Sequence, residues 1–349
     1  MATSVDGRTS EASSSSIYYS TLSVPPGRIL VKRSTSFLVV LGVSVFWAGT
    51  AFAQTSASFA SITFPGAHAT GARGVNIHGE IVGWFQLRTD CVAEEDGIPF
   101  CIDSTNHVQI ATHGFTFLNG KFSRFDFPGA TATAILGVND LGDFVGTYVK
   151  SGLLHGFLRL HTGILKTLDM APAPPFDNGG ATAPMGINKF GTVVGNIWSV
   201  FGRGPFGGFR WFNGHFTKVD FPGFTEDGVF GNSNTGLLIM QIFDADFWTT
   251  GLLNGSDKDI LDSPAMSDTH ATGVNSGGDI VGYSRLTGFF APHVEANEGT
   301  TDKEIAPHYL MLAFPGATDT RPNAISDNRS IVGSFSDGTT WHGFLAVLH

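Results

Sequence analysis

Apolar residues in this chain come in short runs that end at glycine or Pro-Gly, and one ten-residue phrase repeats. The phrase is Gly-Val-Asn-x-x-Gly-x-Ile-Val-Gly. Its six copies begin at Gly74, Gly137, Gly186, Gly231, Gly273 and Ala324. Ser233 replaces the asparagine of the fourth copy, and Arg329 replaces the second glycine of the sixth. Because the copies follow each other at intervals of 42 to 63 residues, they predict blades of a β-propeller, each built from four short strands.

Each repeat predicts strands a, b, c and d in order. Strand a ends at the asparagine, and Asn-x-x-Gly forms a tight turn because both residues tolerate positive φ. The Ile-Val-Gly segment is strand b, and strand c begins at His-Gly-Phe, as in residues 113–115. Strand d, such as residues 122–127, ends at Pro-Gly because proline cannot donate to the ladder. Type I′ hairpins, which need positive φ twice, are predicted between strands c and d at Asn119-Gly120, Asn213-Gly214 and Asn254-Gly255.

The two ends of the repeat region predict how the ring closes. The last repeat stops after strand c at His349, whereas residues 58–64 form a spare strand with the Phe-Pro-Gly ending of the d strands. We therefore expect an all-β, six-bladed propeller of four-stranded antiparallel blades, with the last blade closed by the N-terminal strand. The predicted domain is 54–349, with blades at about 67–127, 130–170, 180–221, 224–263, 268–314, and 317–349 plus 58–64.

Residues 1–53 predict a signal peptide with a long n-region and a disordered leader. Arg28, Lys32 and Arg33 precede the apolar run 37–51, and Ala51-Phe52-Ala53 fits the small-x-small cleavage rule. We expect cleavage after Ala53 and a secreted, periplasmic or cell-surface protein. The alternative is an uncleaved membrane anchor. Without a second run of membrane length, the mature protein is expected to be soluble and off the membrane.

Composition restricts the class of partner. Removing the first 53 residues leaves 16 basic and 28 acidic residues, a net charge of −12. Such an acidic surface repels phosphate backbones, so a nucleic-acid partner is not expected. Scarce charge (14%) with 31 phenylalanines argues against disorder and for buried strands. The protein is expected to be a monomer that binds an extracellular glycan or protein.

The two cysteines, Cys91 and Cys101, predict a disulfide, since an even count in an exported chain favours pairing. The bridge would staple one long b–c loop of the first blade. Two thiols at this spacing do not make a metal site.

Long insertions predict where a ligand binds. They lie in b–c and d–a connections on one face, and rigid scaffolds often carry binding residues on such loops. The alternative is that these loops only cover the channel mouth, and that the acidic cluster among them is merely solvated. The predicted binding residues are Glu94, Glu95, Asp96, Trp198, Phe201, Arg203 and Phe206.

Catalytic and metal chemistry has weak support. His113, His155 and His342 could form a metal ring, but a residue repeated at one blade position favours a structural hydrogen bond to a loop backbone. The repeated asparagines are predicted turn formers. No metal and no cofactor is expected, and the common hydrolase, zinc-protease and phosphate-loop motifs are missing from the sequence.

The His-Gly-Phe triplets and the Asn-x-x-Gly-x-Ile-Val-Gly phrase resemble those of extracellular HAF-repeat proteins of bacteria, over nearly all of residues 57–349. That resemblance implies export and a propeller-like fold, and it implies no particular activity. We therefore expect a non-catalytic binding or cell-surface scaffold with an unknown ligand. The alternative is a propeller enzyme acting on glycans or small esters.

Overall fold

The computed structural model describes residues 56–87, 112–170, 181–198, 205–224, 227–244, 247–261, 269–292 and 309–349. Within these residues the chain forms strands only, arranged in six four-stranded antiparallel sheets. The first strand is β1 (Ala57–Ile62). Blade 1 follows with β2 (Ala69–Val75), β3 (Ile81–Gln86), β4 (Thr112–Leu118) and β5 (Lys121–Phe125). Blade 2 has β6 (Ala132–Val138), β7 (Phe144–Lys150), β8 (Leu153–Arg159) and β9 (Leu165–Leu168).

The remaining blades repeat this order. Blade 3 has β10 (Ala181–Ile187), β11 (Val193–Trp198), β12 (Pro205–Phe212) and β13 (His215–Val219). Blade 4 has β14 (Asp227–Asn232), β15 (Leu238–Asp244), β16 (Phe247–Asn254) and β17 (Asp257–Leu261). Blade 5 has β18 (Thr269–Val274), β19 (Ile280–Ser284), β20 (Thr287–Ala291) and β21 (Leu310–Leu312). Blade 6 has β22 (Asp319–Ile325), β23 (Ser330–Ser336), β24 (Trp341–Leu348) and β1.

The predicted ring closure is confirmed. Strand β1 is the fourth strand of blade 6 and pairs antiparallel with β24, from Ala57 opposite Leu348 to Ile62 opposite Gly343. Phe59 packs edge-on against Phe314 and Phe344, which belong to the core between blades 5 and 6. The N-terminal strand therefore supplies both the missing ladder and part of the apolar packing, and the six-bladed propeller predicted from the repeats is the observed fold.

Neighbouring blades are joined by a repeated polar and aromatic contact. The phenylalanine of each Phe-Pro-Gly turn reaches the next blade, where Phe64 stacks on Phe85, Phe127 on Tyr148 and Phe314 on Phe335. The backbone N–H of the residue at this position donates to a threonine near the start of strand a in the next blade. The observed pairs are Phe64–Thr70, Phe127–Thr133, Met170–Thr182 and Phe314–Thr320. In blade 4, Asp227 replaces the threonine and accepts from Phe221.

The turns follow the predicted chemistry with one correction. Asn119 and Asn213 have φ of 52° and 48°, and each is followed by a positive-φ glycine, as a type I′ hairpin requires. The prediction for Asn254-Gly255 was wrong. Asn254 pairs with Asp257, so the two-residue loop is Gly255-Ser256 with Gly255 first. Glycine with positive φ at the first position is the type II′ arrangement.

The distribution of long connections differs between the two faces less than the sequence suggested. Strands a–b and c–d are joined on one face, here called the a–b face, and the other connections lie on the opposite face. In blade 5, β20 ends at Ala291 and β21 begins at Leu310, so a c–d connection is also long. None of the described residues forms a helix long and apolar enough to cross a membrane.

Candidate binding site in the axial channel

A β-bulge at the same place in all six innermost strands shapes the channel. In each strand a, the register with strand b shifts at the residue before the repeat glycine or, in blade 6, before Ala324. A bulge leaves one residue outside the regular pairing and turns its side chain in a new direction. The six bulged residues all line one cavity: Arg73, Leu136, Met185, Phe230, Thr272 and Asn323.

The cavity occupies the axis of the ring on the a–b face. Its volume is about 140 Å³, and a–b turn residues such as Asp140, Lys189 and Asp327 line it together with the bulged residues. A cavity of about 150 Å³ holds a molecule the size of benzene. The site therefore has room for a small molecule or for one end of a longer one.

The cavity has an apolar wall and a polar wall. Blades 2, 3 and 4 contribute the apolar bulged residues Leu136, Met185 and Phe230, whereas blades 5, 6 and 1 contribute the polar ones. On the polar wall, Arg73 Nη1 donates to Asn323 Oδ1 over 2.9 Å, and Asn323 Nδ2 donates to the carbonyl of Ala72. Since pockets that fix a ligand's orientation combine apolar contact with a few placed polar groups, this division would orient an amphipathic ligand.

A second positive charge lies deeper on the polar wall. Arg321 pairs with Asp319 and lies between two aromatic rings, 5.1 Å from the centroid of Tyr283 and 5.0 Å from that of Trp341. Cation–π contact and a carboxylate partner hold a guanidinium in place. Both Arg321 and Tyr283 line the cavity.

An apolar cluster fills part of the axis. Trp84 is fully buried and packs with Leu136, Met185 and Trp341. These residues come from the four consecutive blades 6, 1, 2 and 3. Trp84 belongs to the second strand of blade 1, and its ring lies over Gly71, where an added Cβ would be 2.5 Å from the indole. Glycine at position 71 therefore lets the indole occupy the space that a side chain on strand a would fill.

Hydrogen bonds between blades alternate around the mouth. The residue after the repeat asparagine donates its N–H in blades 1, 3 and 5, and its counterpart in blades 2, 4 and 6 accepts with a side-chain oxygen. The pairs are Ile77–Asp140, Lys189–Asn234 and Ser276–Asp327, at 3.2, 2.8 and 2.7 Å. The mouth carboxylates of Asp140 and Asp327 thus accept backbone N–H groups in the fold.

The repeated asparagines do more than form turns. Asn76, Asn139, Asn188 and Asn275 each accept N–H groups from two turn residues, as predicted for turn formers. Each also donates Nδ2 to the carbonyl of its counterpart in the next blade. Ser233 keeps both turn contacts through Oγ, and Ser326 keeps the one from the Ser330 N–H. A serine hydroxyl is too short to repeat the bond to the next blade.

The repeated histidines bind carboxylates, which corrects the predicted bond to a loop backbone. His113 Nδ1 lies 2.8 Å from Asp126, and His155 Nδ1 lies 2.8 Å from Asp169. In blade 6, Thr63 stands where blades 1 and 2 have this aspartate, and His342 Nε2 contacts Asp337 at 3.2 Å instead. The rings also pack on aromatic residues of strand b. These histidines therefore fasten the outer strands of separate blades.

Burial and hydrogen bonding shift the pKa of two carboxyls near the mouth in opposite directions. Burial raises the pKa of Glu80 despite the hydrogen bond from Asn76. Burial also acts to raise the pKa of Asp143, but hydrogen bonds from His161 and Asn139 together outweigh it and lower that pKa. Asp143 therefore remains charged in the fold and serves as a fixed acceptor for the c–d turn of blade 2.

The predicted loop site falls on parts of the chain that the structure does not describe. Glu94, Glu95, Asp96, Phe201 and Arg203 lie outside the described residues, as do Cys91 and Cys101. Trp198 and Phe206 lie in β11 and β12, and their side chains are not described. The loop site and the disulfide stay predictions. In the described ranges, no group of three or more His, Cys, Asp and Glu side chains is placed to hold a metal ion.

Sequence reasoning missed the cavity residues. The six bulged residues share no chemical type, so no motif marks them. Their only common signal is their place directly before the first residue of the repeated phrase. With the propeller order known, that place would have identified them as the innermost residues of each blade.

No protein-family profile and no curated protein matches the sequence. Solved structures with a similar chain include a catalytically inactive virginiamycin B lyase from Staphylococcus aureus with quinupristin. It is 11% identical, has a TM-score of 0.46, and the match covers 84% of this chain and 100% of that one. A streptogramin B lyase structure is 11% identical with a TM-score of 0.41, covering 84% and 98% of the two chains. The fold assignment rests on the strand pairing of this chain.

Proposed function

We propose that this protein is an exported, non-catalytic binding propeller that takes a small amphipathic ligand, or one end of a larger ligand, into the axial cavity. The observation that carries the proposal is the division of the six bulged residues into an apolar and a polar wall. Two guanidinium groups line the polar side of this cavity, where they can also meet an anionic group of a ligand.

The polar wall favours a ligand with a hydrogen-bond-accepting, anionic end. Arg73 and Arg321 line this side, and a guanidinium offers a fork of donors that matches a carboxylate or phosphate. A ligand that joins an anionic group to an apolar part, such as a hydroxy or amino acid with an apolar side chain, fits this arrangement.

The hydrogen bonds of the carboxylates at the cavity mouth favour a binding role over the enzyme alternative. A general acid or base needs a carboxyl free to exchange its proton with a substrate. Asp140 accepts the N–H of Ile77, and Asp327 accepts both N–H and Oγ of Ser276. These oxygens hold neighbouring blades together. The proposal also includes export of the protein, its resemblance to HAF-repeat proteins, and a glycan or protein as the larger ligand.

The test is a thermal-shift and calorimetric screen of hydroxy, amino and acyl-amino acids with graded apolar side chains. We expect stabilisation by anionic amphipathic members and none by their methyl esters. Arg73→Met should weaken binding by about tenfold or more, because a hydrogen bond to a charged group contributes about 1.5–3 kcal/mol. Arg210→Met is the matched control, since Arg210 is exposed on β12 and does not line the cavity. This role is refuted if Arg73→Met and Arg210→Met bind the ligand with equal affinity, or if the acids and their methyl esters bind alike.

A further inference from the structure

Exposed apolar side chains are concentrated on one half of the a–b face. Eleven large apolar side chains are exposed among the described residues, and six of them lie at a–b or c–d turns of blades 1, 2 and 3. This apolar half-face consists of Ile77, Leu118, Leu141, Ile164, Phe190 and Phe212. Phe190 is 62% exposed and Leu141 is 57% exposed, so each projects from its turn.

The other half of the same face is polar at the corresponding places. The two residues that follow the repeat asparagine include one large apolar side chain in each of blades 1, 2 and 3. In blades 4, 5 and 6 they are Asn234-Thr235, Ser276-Gly277 and Asp327-Asn328. Turns of this type need only asparagine and glycine at fixed positions, so the apolar residues are not required by the fold. Their restriction to one half of the face, at turns that do not require them, favours an interaction site on that half.

The exposed charged side chains beside these apolar residues are lysines, although the whole protein is acidic. Lys121, Lys166 and Lys189 are exposed beside the apolar residues, and the Lys189 ammonium lies 5.1 Å from the Phe190 ring centroid. Asp143 is buried, and Glu80 and Asp140 are partly buried. Exposed lysines around apolar tips attract an anionic surface even though the chain has a net charge of −10.

We propose that the apolar half-face binds the surface of a lipid bilayer that contains anionic headgroups. The apolar side chains stand singly on separate turns, and fluid lipid can surround each of them, whereas a protein partner would need a matching shape. A second copy docked on the same patch would bring like-charged lysines together. This proposal departs from the expectation that the mature protein stays off the membrane. That expectation rested on the missing second run of membrane length, which bears on spanning a bilayer and not on binding at its surface.

The experiment is vesicle co-sedimentation of the chain from Gln54 onward, which contains every strand of the ring. Phosphatidylcholine vesicles with and without phosphatidylglycerol are the probes. We expect binding to the anionic vesicles that weakens with added salt. The double variant Leu141→Ser, Phe190→Ser should bind about a hundredfold more weakly, because each buried apolar side chain contributes about one factor of ten. The double variant Lys121→Gln, Lys189→Gln should weaken binding to the anionic vesicles by about fivefold for each lysine.

Matched controls lie on the opposite face. Leu153 and Leu286 are as exposed as the tested residues, at 55% and 60%. Leu153 begins β8 directly after a b–c turn, Leu286 lies in a b–c turn, and Lys150 ends a strand on the same face. Leu153→Ser with Leu286→Ser, and Lys150→Gln, should leave vesicle binding unchanged. The proposal is overturned if neither vesicle binds, or if the controls lose binding equally. It is also overturned if light scattering finds a dimer that Leu141→Ser, Phe190→Ser dissociates, which would assign the patch to a second copy.

Discussion

The side-chain amide of Asn76 donates a hydrogen bond to the backbone carbonyl of Asn139, its counterpart in the next blade, over 3.0 Å. The same bond links blade 2 to blade 3, blade 3 to blade 4 and blade 5 to blade 6. One side chain thus closes its own turn and also fastens the adjacent blade. These two roles can be separated by substitution, because serine retains the first role and loses the second.

Asn139→Ser should lower the free energy of unfolding by about 1–2 kcal/mol, since it leaves the buried carbonyl of Asn188 without its donor. Ser233 shows that serine can still hold the turn. The converse change, Ser233→Asn, should stabilise the ring by a few tenths to about 1 kcal/mol. Urea unfolding monitored by tryptophan fluorescence measures both. An unchanged midpoint for Asn139→Ser would mean that the contact between blades contributes nothing.

Asp227→Thr should stabilise the protein at neutral pH by about 0.5–2 kcal/mol. Threonine occupies this buried place in the other five blades, as Thr70, Thr133, Thr182, Thr269 and Thr320. Burial raises the pKa of Asp227 even though the Phe221 N–H donates to it, so its charged form opposes folding. A neutral hydroxyl can accept the same bond without that cost.

The pH dependence of this gain has a definite sign. A carboxyl with a raised pKa destabilises the fold when it is ionised, and this effect fades as pH falls through the raised pKa and the group becomes neutral. The advantage of Asp227→Thr should therefore be largest at pH 7 and shrink toward pH 4. Melting temperatures across this range give the test. A gain that is independent of pH would contradict the assigned cause.

Gly71→Ala should destabilise the ring by about 1–3 kcal/mol, because the added methyl meets the Trp84 indole at 2.5 Å. Blade 2 has Ala134 paired with Thr147 at the same places, so a small residue on the second strand accommodates alanine on the first. In a Trp84→Thr background, Gly71→Ala should leave the free energy of unfolding nearly unchanged. A double-mutant cycle from denaturant titrations measures this coupling. Equal costs in both backgrounds would show that the indole does not occupy this space.

A chain that begins at Ala67 should melt well below one that begins at Gln54. The shorter chain lacks β1 and the turn after it, which exposes the edge of β24 and removes Ile62 and Phe64 from the core of blade 1. Each such side chain contributes roughly 1.5–3 kcal/mol, against a total stability of about 5–15 kcal/mol. Calorimetry of the two chains is the measurement, and equal melting temperatures would contradict closure by β1.

Cys91 and Cys101 are expected to be bonded in exported material, although they lie outside the described residues. Replacing both with serine should loosen their loop and cost at most about 2–3 kcal/mol, because the closed loop is small. Mass spectrometry of the alkylated protein gives the pairing. Two free thiols in secreted protein would refute the bond.

The fold was predictable because its determinants are local and repeated. Asn-x-x-Gly and Asn-Gly specify turns by backbone conformation, and the orphan strand before Phe64 identified the closing blade. Arg329 shows the limit of this logic. It adopts the left-handed φ of 62° where the other copies have glycine, and its guanidinium binds Asp279 of the preceding blade in a two-pronged contact.

The site was less predictable because it depends on residues whose identity varies between blades. Arg73 and Phe230 occupy the same place in the fold, yet they share no chemistry that a motif could detect. Their common direction into the channel comes from the bulge, which is a property of the paired backbone. Long insertions drew attention to the opposite face, while the described cavity lies among short turns.

The pairing of β1 with β24 has a consequence for the order of the blades in the chain. Ser56 and His349 exchange backbone hydrogen bonds, with distances of 3.4 and 2.8 Å, so the two ends of the ring meet at the rim of blade 6. A short linker could join them, and the chain could then be opened at another exposed turn, such as the one at Gly223 between blades 3 and 4. The ring would survive such a circular permutation, and blade 6 would become a continuous segment of chain.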